Sequence, residues 1–130
     1  MIPQETIVAL ATPSGAGAIA IIRLSGAAAI TIAADVFQSV SGKDITKQKT
    51  HTIHLGHIVD NGKVYDQVLL SIFKGPNSYT GENVIEISCH GSTFIQQQII
   101  QLLLRKGAKM AQAGEFTLRA FLNGKLDLSQ

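Results

Sequence analysis

Two strand-forming segments on either side of Asn61-Gly62 constrain the fold of this chain more than any other feature of its sequence. The segments cover Thr52–Asp60 and Lys63–Phe73, and both are rich in apolar and β-branched residues. Asn-Gly accepts the positive φ angles of a type I′ turn, which joins antiparallel strands through two residues. The sequence therefore predicts a long antiparallel hairpin in the middle of the chain.

Shorter apolar runs predict further strands around this hairpin. Residues 6–11 and 18–24 are two such runs, separated by a stretch that contains proline and glycine. Val84–His90 follows the hairpin after a polar loop, and residues 108–112 predict a last short strand. The strands come in groups rather than alternating singly with helices, which is typical of an antiparallel sheet.

Apolar residues at three- and four-residue steps predict the helices. Two principal helices are expected over residues 26–38 and 93–106, with Ser25 and Ser92 as their N-caps, and a shorter one over Glu115–Leu122. The polar residues 39–50 predict a solvated connection. The order ββαβββα predicts an α+β domain with a mainly antiparallel sheet and two principal helices.

The composition restricts the function classes. The 130 residues are 45% apolar and only 15% charged, with a net charge of +2. Such a chain is too apolar and too weakly charged to be disordered, and it lacks the clustered basic face of a nucleic-acid-binding surface. The low charge predicts that part of the surface is covered by a partner or by further chain.

The termini and the single cysteine indicate a compartment. Cys89 cannot form an internal disulfide, and the start of the chain carries an acidic residue and no basic stretch. Residues 15–34 are apolar, but Arg23 near their centre would cost about 2.5–3.5 kcal/mol in a bilayer. We expect a soluble, cytoplasmic protein without a membrane partner.

Two nucleotide-binding patterns are absent or out of context. Gly15-x-Gly17-x-x-Ala20 resembles a dinucleotide fingerprint, but its glycines precede a predicted strand instead of opening a helix. The sequence contains no G-x-x-x-x-G-K-[ST] motif, so we expect no GTPase activity from this chain alone.

The histidines and the cysteine predict neither a metal site nor a nucleophile. His51, His54 and His57 fall in a predicted strand, where alternation turns His54 away from the other two and favours a surface strand. Cys89 shares its parity with apolar neighbours and His90 does not, so we expect a buried structural thiol.

Three isolated charges are the best candidate site residues. Arg23 ends an apolar run, Glu86 lies within an apolar strand, and Lys125 has apolar flanks. Such charges need partners, because an unpaired buried charge is costly. Arg23 and Glu86 could form a structural ion pair, or both could contact one polar ligand, and periodicity alone does not choose between these alternatives.

Three blocks of sequence carry a family resemblance: TIVALATPSGAGAIAIIRLSG (6–26), GPNSYTGENVIEISCHG (75–91) and GEFTLRAFLNGKLDLSQ (114–130). Together they resemble the N-terminal domain of the tRNA modification GTPase family called MnmE or TrmE, over nearly the whole chain. Departures from the family pattern leave the candidate ligands in place: Ala18 and Ala20 replace glycines, Asn83 an aspartate and Ser92 a glycine.

The resemblance implies a tetrahydrofolate-binding fold of the aminomethyltransferase type and a homodimer with exchanged first strands. It implies binding of 5-formyltetrahydrofolate, or a related one-carbon folate, by Arg23, Glu86 and Lys125, matched by motif position. A carboxylate such as Glu86 can accept two hydrogen bonds from the amino-pyrimidine edge of a pterin. Arg23 and Lys125 can donate to the formyl oxygen or the glutamate tail. No catalytic residue and no metal ligand is expected in this chain.

The resemblance also implies a domain plan. Residues 1–118 would form the folate-binding and dimerisation domain, residues 119–130 would begin a helical domain, and a GTPase domain holding GTP, Mg²⁺ and K⁺ would lie outside this chain. Asp127-Leu-Ser-Gln130, typical of a helix start, predicts a longer protein. With an FAD-dependent partner of the MnmG or GidA family, such proteins modify the wobble uridine of tRNA at C5. A dimerisation scaffold without a ligand and a free-standing folate-dependent one-carbon transferase are the alternatives.

Overall fold

The computed structural model describes residues 5–124, and the strands within that range form one seven-stranded sheet. The strands are β1 (Ile7–Leu10), β2 (Ile19–Ser25), β3 (Phe37–Ser39), β4 (Thr52–Asp60), β5 (Lys63–Phe73), β6 (Val84–His90) and β7 (Lys109–Met110). The helices are α1 (Ala29–Val36), α2 (Thr93–Arg105) and α3 (Glu115–Leu122), with a 3₁₀ turn over Ile45–Lys47. No helix within the described range has the length and apolar character needed to cross a membrane.

The sheet is mainly antiparallel, as predicted. Its order is β3-β4-β5-β6-β2-β1-β7, and five of the six strand pairings among the described residues are antiparallel. The exception is the short edge strand β7, which runs parallel to β1 and pairs Lys109 with Ile7. The α+β class is therefore confirmed, with a mixed sheet because of this one parallel edge.

The predicted hairpin is the longest antiparallel pairing of the sheet. Asn61 and Gly62 have φ angles of 49° and 77°, the positive values that a type I′ turn requires. Asp60 pairs with Lys63 across the turn, and a register irregularity follows between Ile58 and Val59. The strand bounds of the hairpin are those predicted from the sequence.

Helices α1 and α2 contribute to a single apolar core with one face of the sheet. Of the apolar face predicted for the first helix, Ala29, Ile32, Ala33 and Val36 are buried, and Phe37 is half-buried in β3. Of the stripe predicted for α2, Ile99, Leu102 and Leu103 are buried and Ile95 is half-buried, while Gln96 and Ile100 are buried as well. Ser92 caps α2, because its hydroxyl accepts a hydrogen bond from Ile95 N–H. The opposite face of the sheet, called here the open face, carries Arg23 and Glu86.

The predicted start of α1 is wrong. The helix begins at Ala29, and the Ser25 hydroxyl bonds to Thr80 and Glu82 instead of capping it. The N–H of Ala28 donates to the Thr6 hydroxyl at 2.9 Å, so a residue from before β1 satisfies this helix end. Sequence spacing could not show that Ser25 has closer partners 55 residues away.

The predicted end of α1 is also wrong, because the chain leaves the helix after Val36 and forms β3. Phe37 pairs with Ile58 at the edge of the sheet. The close approach of β3 to β4 depends on Gly56, where a Cβ would lie 2.4 Å from the carbonyl oxygen of Gln38. A side chain at that position would push the edge strand away.

The connection over residues 39–50 is less solvated than predicted. Its 3₁₀ turn places Ile45 in the core, and Asp44 caps the turn by accepting a hydrogen bond from Thr46 N–H. Hydrogen bonds from the Thr46 hydroxyl and backbone lower the pKa of the Asp44 carboxyl. The polar residues of this connection thus flank one buried apolar residue, Ile45.

The glycines of the dinucleotide-like pattern serve a structural contact. Gly17 precedes β2, and its N–H donates to the carbonyl of Gly91 at 3.0 Å. A Cβ at Gly91 would lie 1.8 Å from the carbonyl oxygen of Gly17, so the backbones meet only because residue 91 has no side chain. The buried Gln96 amide donates to the carbonyls of Gly15 and Gly91. As predicted, these glycines precede a strand and open no helix, which is not the context of a dinucleotide fingerprint.

Candidate functional site

Arg23 and Glu86 form an ion pair on the open face of the sheet. They are direct partners in the β2–β6 register. Arg23 Nε donates to Glu86 Oε2 at 2.9 Å, and Nη2 lies 2.8 Å from the same oxygen. The side chains are 23% and 24% exposed, so solvent and solutes can reach both. The sheet register thus brings together two of the three candidate site residues.

The pair keeps unused hydrogen-bonding capacity within the described residues. There, Arg23 Nη1 donates to no acceptor and Glu86 Oε1 accepts no hydrogen bond. A carboxylate can accept about four hydrogen bonds and a guanidinium can donate five. Both side chains can therefore bind a further polar molecule without breaking their own contact.

Two aromatic rings lie against the guanidinium of Arg23. Its central carbon is 5.4 Å from the ring centre of Tyr79 and 5.3 Å from that of Phe116, which is within cation–π range. Tyr79 belongs to the loop between β5 and β6, and Phe116 lies in the first turn of α3. Two segments that are distant in sequence thus meet at Arg23.

A buried charge network connects the same two segments. Arg119 of α3 is 2% exposed, and its Nη1 lies 3.2 Å from both carboxylate oxygens of Glu82. Its Nη2 donates to Glu115 Oε2 at 3.0 Å. Only the Nε of Arg119 is buried without a hydrogen-bond partner among the described residues. Two acidic partners satisfy most of this buried cation.

Polar contacts extend the network to β2. The Ser25 hydroxyl donates to Glu82 Oε1 at 2.8 Å and lies 2.7 Å from the buried Thr80 hydroxyl. Asn123, just after α3, donates from its side chain to the Thr80 carbonyl. Strand β2, the loop and α3 are therefore joined two residues away from Arg23.

Lys125, the third candidate, lies outside the described residues. Its position in the chain is one residue beyond Gly124, two beyond the residue that follows α3. Its role stays a prediction.

A groove of about 340 Å³ lies on the open face toward the end of the β2–β6 ladder where Ile19 pairs with His90, and its lining does not include Arg23 or Glu86. Its floor includes Ser88, which follows Glu86 on the same strand face, together with Leu55, Leu69 and Ile19. Ile19 is 65% exposed, and Ile53 on the same face is 66% exposed. The open face thus combines an apolar surface with the Arg23–Glu86 pair.

These residues fit a reduced pterin. Among residues 5–124, Glu86 Oε1 remains an acceptor for N–H donors of an amino-pyrimidine edge, and Arg23 Nη1 remains a donor for an oxygen. The apolar groove on the same sheet face supplies surface for a flat ring system.

Cys89 behaves as a buried structural thiol, as predicted. It faces the core, and burial followed by the negative charge of Asp66 raises its pKa to about 11. His90 faces outward, and its Nδ1 lies 2.7 Å from Asp66 Oδ1. The two neighbours lie on opposite sides of β6, so they cannot act as a nucleophile–base pair.

Strand alternation turns His54 away from His57 as predicted, but His51 lies before β4 and His54 is not on the surface. His54 is buried on the core side of β4, and burial together with the charge of Lys43 lowers its pKa. Its Nε2 lies 2.9 Å from the Thr52 hydroxyl. Lys43, whose charge contributes to this shift, belongs to the connection over residues 39–50. Within residues 5–124 no group of three or more His, Cys, Asp or Glu side chains could hold a metal ion.

Sequence reasoning missed the residues around Arg23. Tyr79, Glu82, Phe116 and Arg119 all lie in the two later blocks that carry the family resemblance. Arg119 is one indication in the sequence that this part of the predicted helix has a role beyond packing. It is a charged residue in an otherwise apolar turn, and it lies on the same helical face as Phe116. No periodicity could show that this face packs on a loop 37 residues earlier.

The chain matches a family model described as "GTP-binding protein TrmE N-terminus" over residues 6–125. A curated relative from Flavobacterium psychrophilum, named tRNA modification GTPase MnmE, is 83% identical over 130 residues. Relatives of the same name from Flavobacterium johnsoniae and Bacillus subtilis are 78% identical over 130 residues and 52% identical over 129. The matches cover 100%, 100% and 98% of this chain and 28% of each relative.

The fold and the site define an α+β domain with a solvent-accessible ion pair and an apolar groove on its open sheet face. The family model and the sequence identities with the curated relatives assign this domain to a family. The chain belongs to the TrmE N-terminal family, which confirms the resemblance of its three sequence blocks. It spans about 28% of the length of the curated relatives that it matches.

Proposed function

We propose that this domain binds a one-carbon tetrahydrofolate, such as 5-formyltetrahydrofolate, at Arg23 and Glu86. The observation that carries the proposal is the accessible Arg23–Glu86 pair, which keeps acceptor and donor atoms unused among residues 5–124, with an apolar groove on the same sheet face. Glu86 accepts hydrogen bonds from the pterin edge, and Arg23 donates to an oxygen of the ligand. When bound, the folate supplies the one-carbon unit. Lys125 completes the site by its place in the family motif.

The domain is also proposed to form a homodimer with exchanged first strands. Within one copy, β1 pairs with β2 over Ile7–Leu10, so an exchange would reproduce this pairing between two copies. Exposed Ile19 and Ile53 offer apolar surface that a second copy could cover. Sedimentation velocity at several concentrations tests this part, because a species of twice the chain mass supports it and a monomer at all concentrations contradicts it.

The larger activity is proposed from the relatives. Their name, tRNA modification GTPase, supports a role in tRNA modification. The resemblance of the three sequence blocks further implies that the target is the wobble uridine at C5, that the reaction takes place in the cytoplasm, and that it needs an FAD-dependent partner of the MnmG or GidA family. GTP, Mg²⁺ and K⁺ belong to a GTPase domain outside these 130 residues. The domain described here contributes the folate and the dimer contacts.

Isothermal titration with 5-formyltetrahydrofolate tests the folate proposal. Saturable binding to the wild-type chain that weakens at least tenfold in Glu86→Ala supports it. Asp35→Ala is the matched control, because the Asp35 carboxylate is 61% exposed on α1 and should leave the affinity unchanged. Absence of binding, or equal affinity in both variants, contradicts the proposal and favours a ligand-free dimerisation scaffold with a structural ion pair.

A further inference from the structure

Arg23 is the site residue whose position depends on elements outside its own sheet pairing. Glu86 contacts only the Nε and Nη2 side of the guanidinium, through a single oxygen. The rings of Tyr79 and Phe116 also lie against it, at 5.4 and 5.3 Å from the guanidinium carbon. An arginine side chain has many rotamers, so each contact that restricts it prepares one orientation for binding.

We propose that Phe116 and Tyr79 are positioning residues that hold Arg23 for the ligand, so that the site is complete only when α3 is docked. This inference rests on the proposed folate site and adds α3 to it. Neither ring is needed to fill the core, since both lie outside the apolar cluster that α1 and α2 form with the sheet. Their shared contact is Arg23.

The docking of α3 has its own anchors. Arg119 binds Glu82 and Glu115, and the Tyr79 hydroxyl lies 2.9 Å from that of Thr117. These contacts join α3 to the loop that carries Tyr79, so both rings are placed by one assembly. Coupling between two sites is reciprocal. A ligand that needs Arg23 in this orientation therefore stabilises the docked position of α3, and a change that loosens α3 lowers the affinity for the ligand.

The substitution Phe116→Leu, with Phe94→Leu as its matched control, tests the inference. Phe94 is 70% exposed on α2, so the same chemical change there removes no contact to Arg23. With 5-formyltetrahydrofolate as the probe, we expect the Kd of Phe116→Leu to rise about tenfold, the size of one cation–π contact in a partly buried site. Phe94→Leu should match the wild type, and Phe116→Tyr, which keeps a ring, should restore the affinity to within about twofold.

Hydrogen exchange of the wild-type chain gives a second readout that needs no variant to fold. Saturating 5-formyltetrahydrofolate should slow exchange of the amides in Glu115–Leu122 more than in the exposed hairpin turn. Equal affinity of Phe116→Leu and Phe94→Leu overturns the inference while leaving the folate site in place, as does unchanged exchange in α3. A wild-type chain that binds no folate overturns both.

Discussion

Arg119 and Glu82 form a buried ion pair that fastens α3 to the loop before β6. Arg119 Nη1 lies 3.2 Å from each oxygen of the Glu82 carboxylate, and the arginine side chain is only 2% exposed. The same carboxylate accepts a hydrogen bond from Ser25 of β2. One glutamate therefore joins three segments next to the proposed ligand site.

Replacement of Glu82 by glutamine should destabilise the domain. Arg119 would keep Glu115 but lose its other charged partner, and an undercompensated buried cation costs about 2–3 kcal/mol. Urea denaturation followed by circular dichroism measures the loss. Glu5→Gln, the same change at an exposed carboxylate, should stay within about 0.5 kcal/mol of the wild type. Equal midpoints for the two variants would show that the Glu82 contact does not hold α3.

Replacement of Glu86 by alanine should affect ligand binding far more than stability. The Arg23–Glu86 pair is about one quarter exposed, and ion pairs that water can screen contribute about 1 kcal/mol or less. We therefore expect a small shift of the urea midpoint together with a loss of folate affinity. A large loss of stability without any change in affinity would identify the pair as purely structural.

Gly91→Ala should be strongly destabilising. The new Cβ would lie 1.8 Å from the Gly17 carbonyl oxygen, so the loop before β2 or the end of β6 must move, at a cost of about 2 kcal/mol or more. Gly17→Ala is the control on the other side of the same contact, because its Cβ would meet nothing within 4 Å. Thermal unfolding compares the two, and a similar melting temperature for both would refute the close approach.

Cys89 should react slowly with thiol reagents in the folded state. Its pKa is raised to about 11 by burial and by Asp66, so at pH 8 the thiolate is scarce and shielded. Ellman's reagent should label the native chain at least tenfold more slowly than the urea-unfolded chain. Equal rates would contradict the burial.

The raised pKa of Cys89 also predicts the direction in which the free energy of unfolding changes with pH. Between the ordinary thiol value of 9.0 and about 11, the folded chain keeps a proton that the unfolded chain has lost. The free energy of unfolding should therefore fall as the pH rises through this window. Cys89→Ala removes this contribution, so the urea midpoint of the variant should depend less on pH between 8 and 10.5. If the urea midpoint of Cys89→Ala depends on pH as strongly as that of the wild type, Cys89 is not the source of this pH dependence.

Local signals predicted most of the fold. The hairpin follows from Asn61-Gly62, and α2 follows from its apolar spacing and the Ser92 cap, because these depend on neighbouring residues. The edge strand β3 and the true start of α1 could not be predicted. They depend on Gly56 admitting Gln38 and on Thr6 capping Ala28, which are contacts between distant segments.

The candidate site likewise contains residues that local sequence signals predicted and residues that depend on contacts between distant segments. Isolated charges in apolar strands pointed to Arg23 and Glu86, and the register of β2 with β6 confirmed that they meet. Tyr79 and Phe116 escaped prediction because their role arises only from the docking of α3 on a loop. Folate binding by this pair stays a prediction.

The most direct test is a ¹⁵N NMR titration of the side-chain Nε–H of Arg23 with 5-formyltetrahydrofolate. This N–H donates to Glu86 in the free domain, so it reports on both residues of the pair. A folate site at Arg23 and Glu86 predicts a saturable shift of this resonance, with the same Kd as calorimetry, that is lost in Glu86→Ala. Binding that shifts other resonances while the Arg23 Nε–H stays unchanged would contradict the assignment.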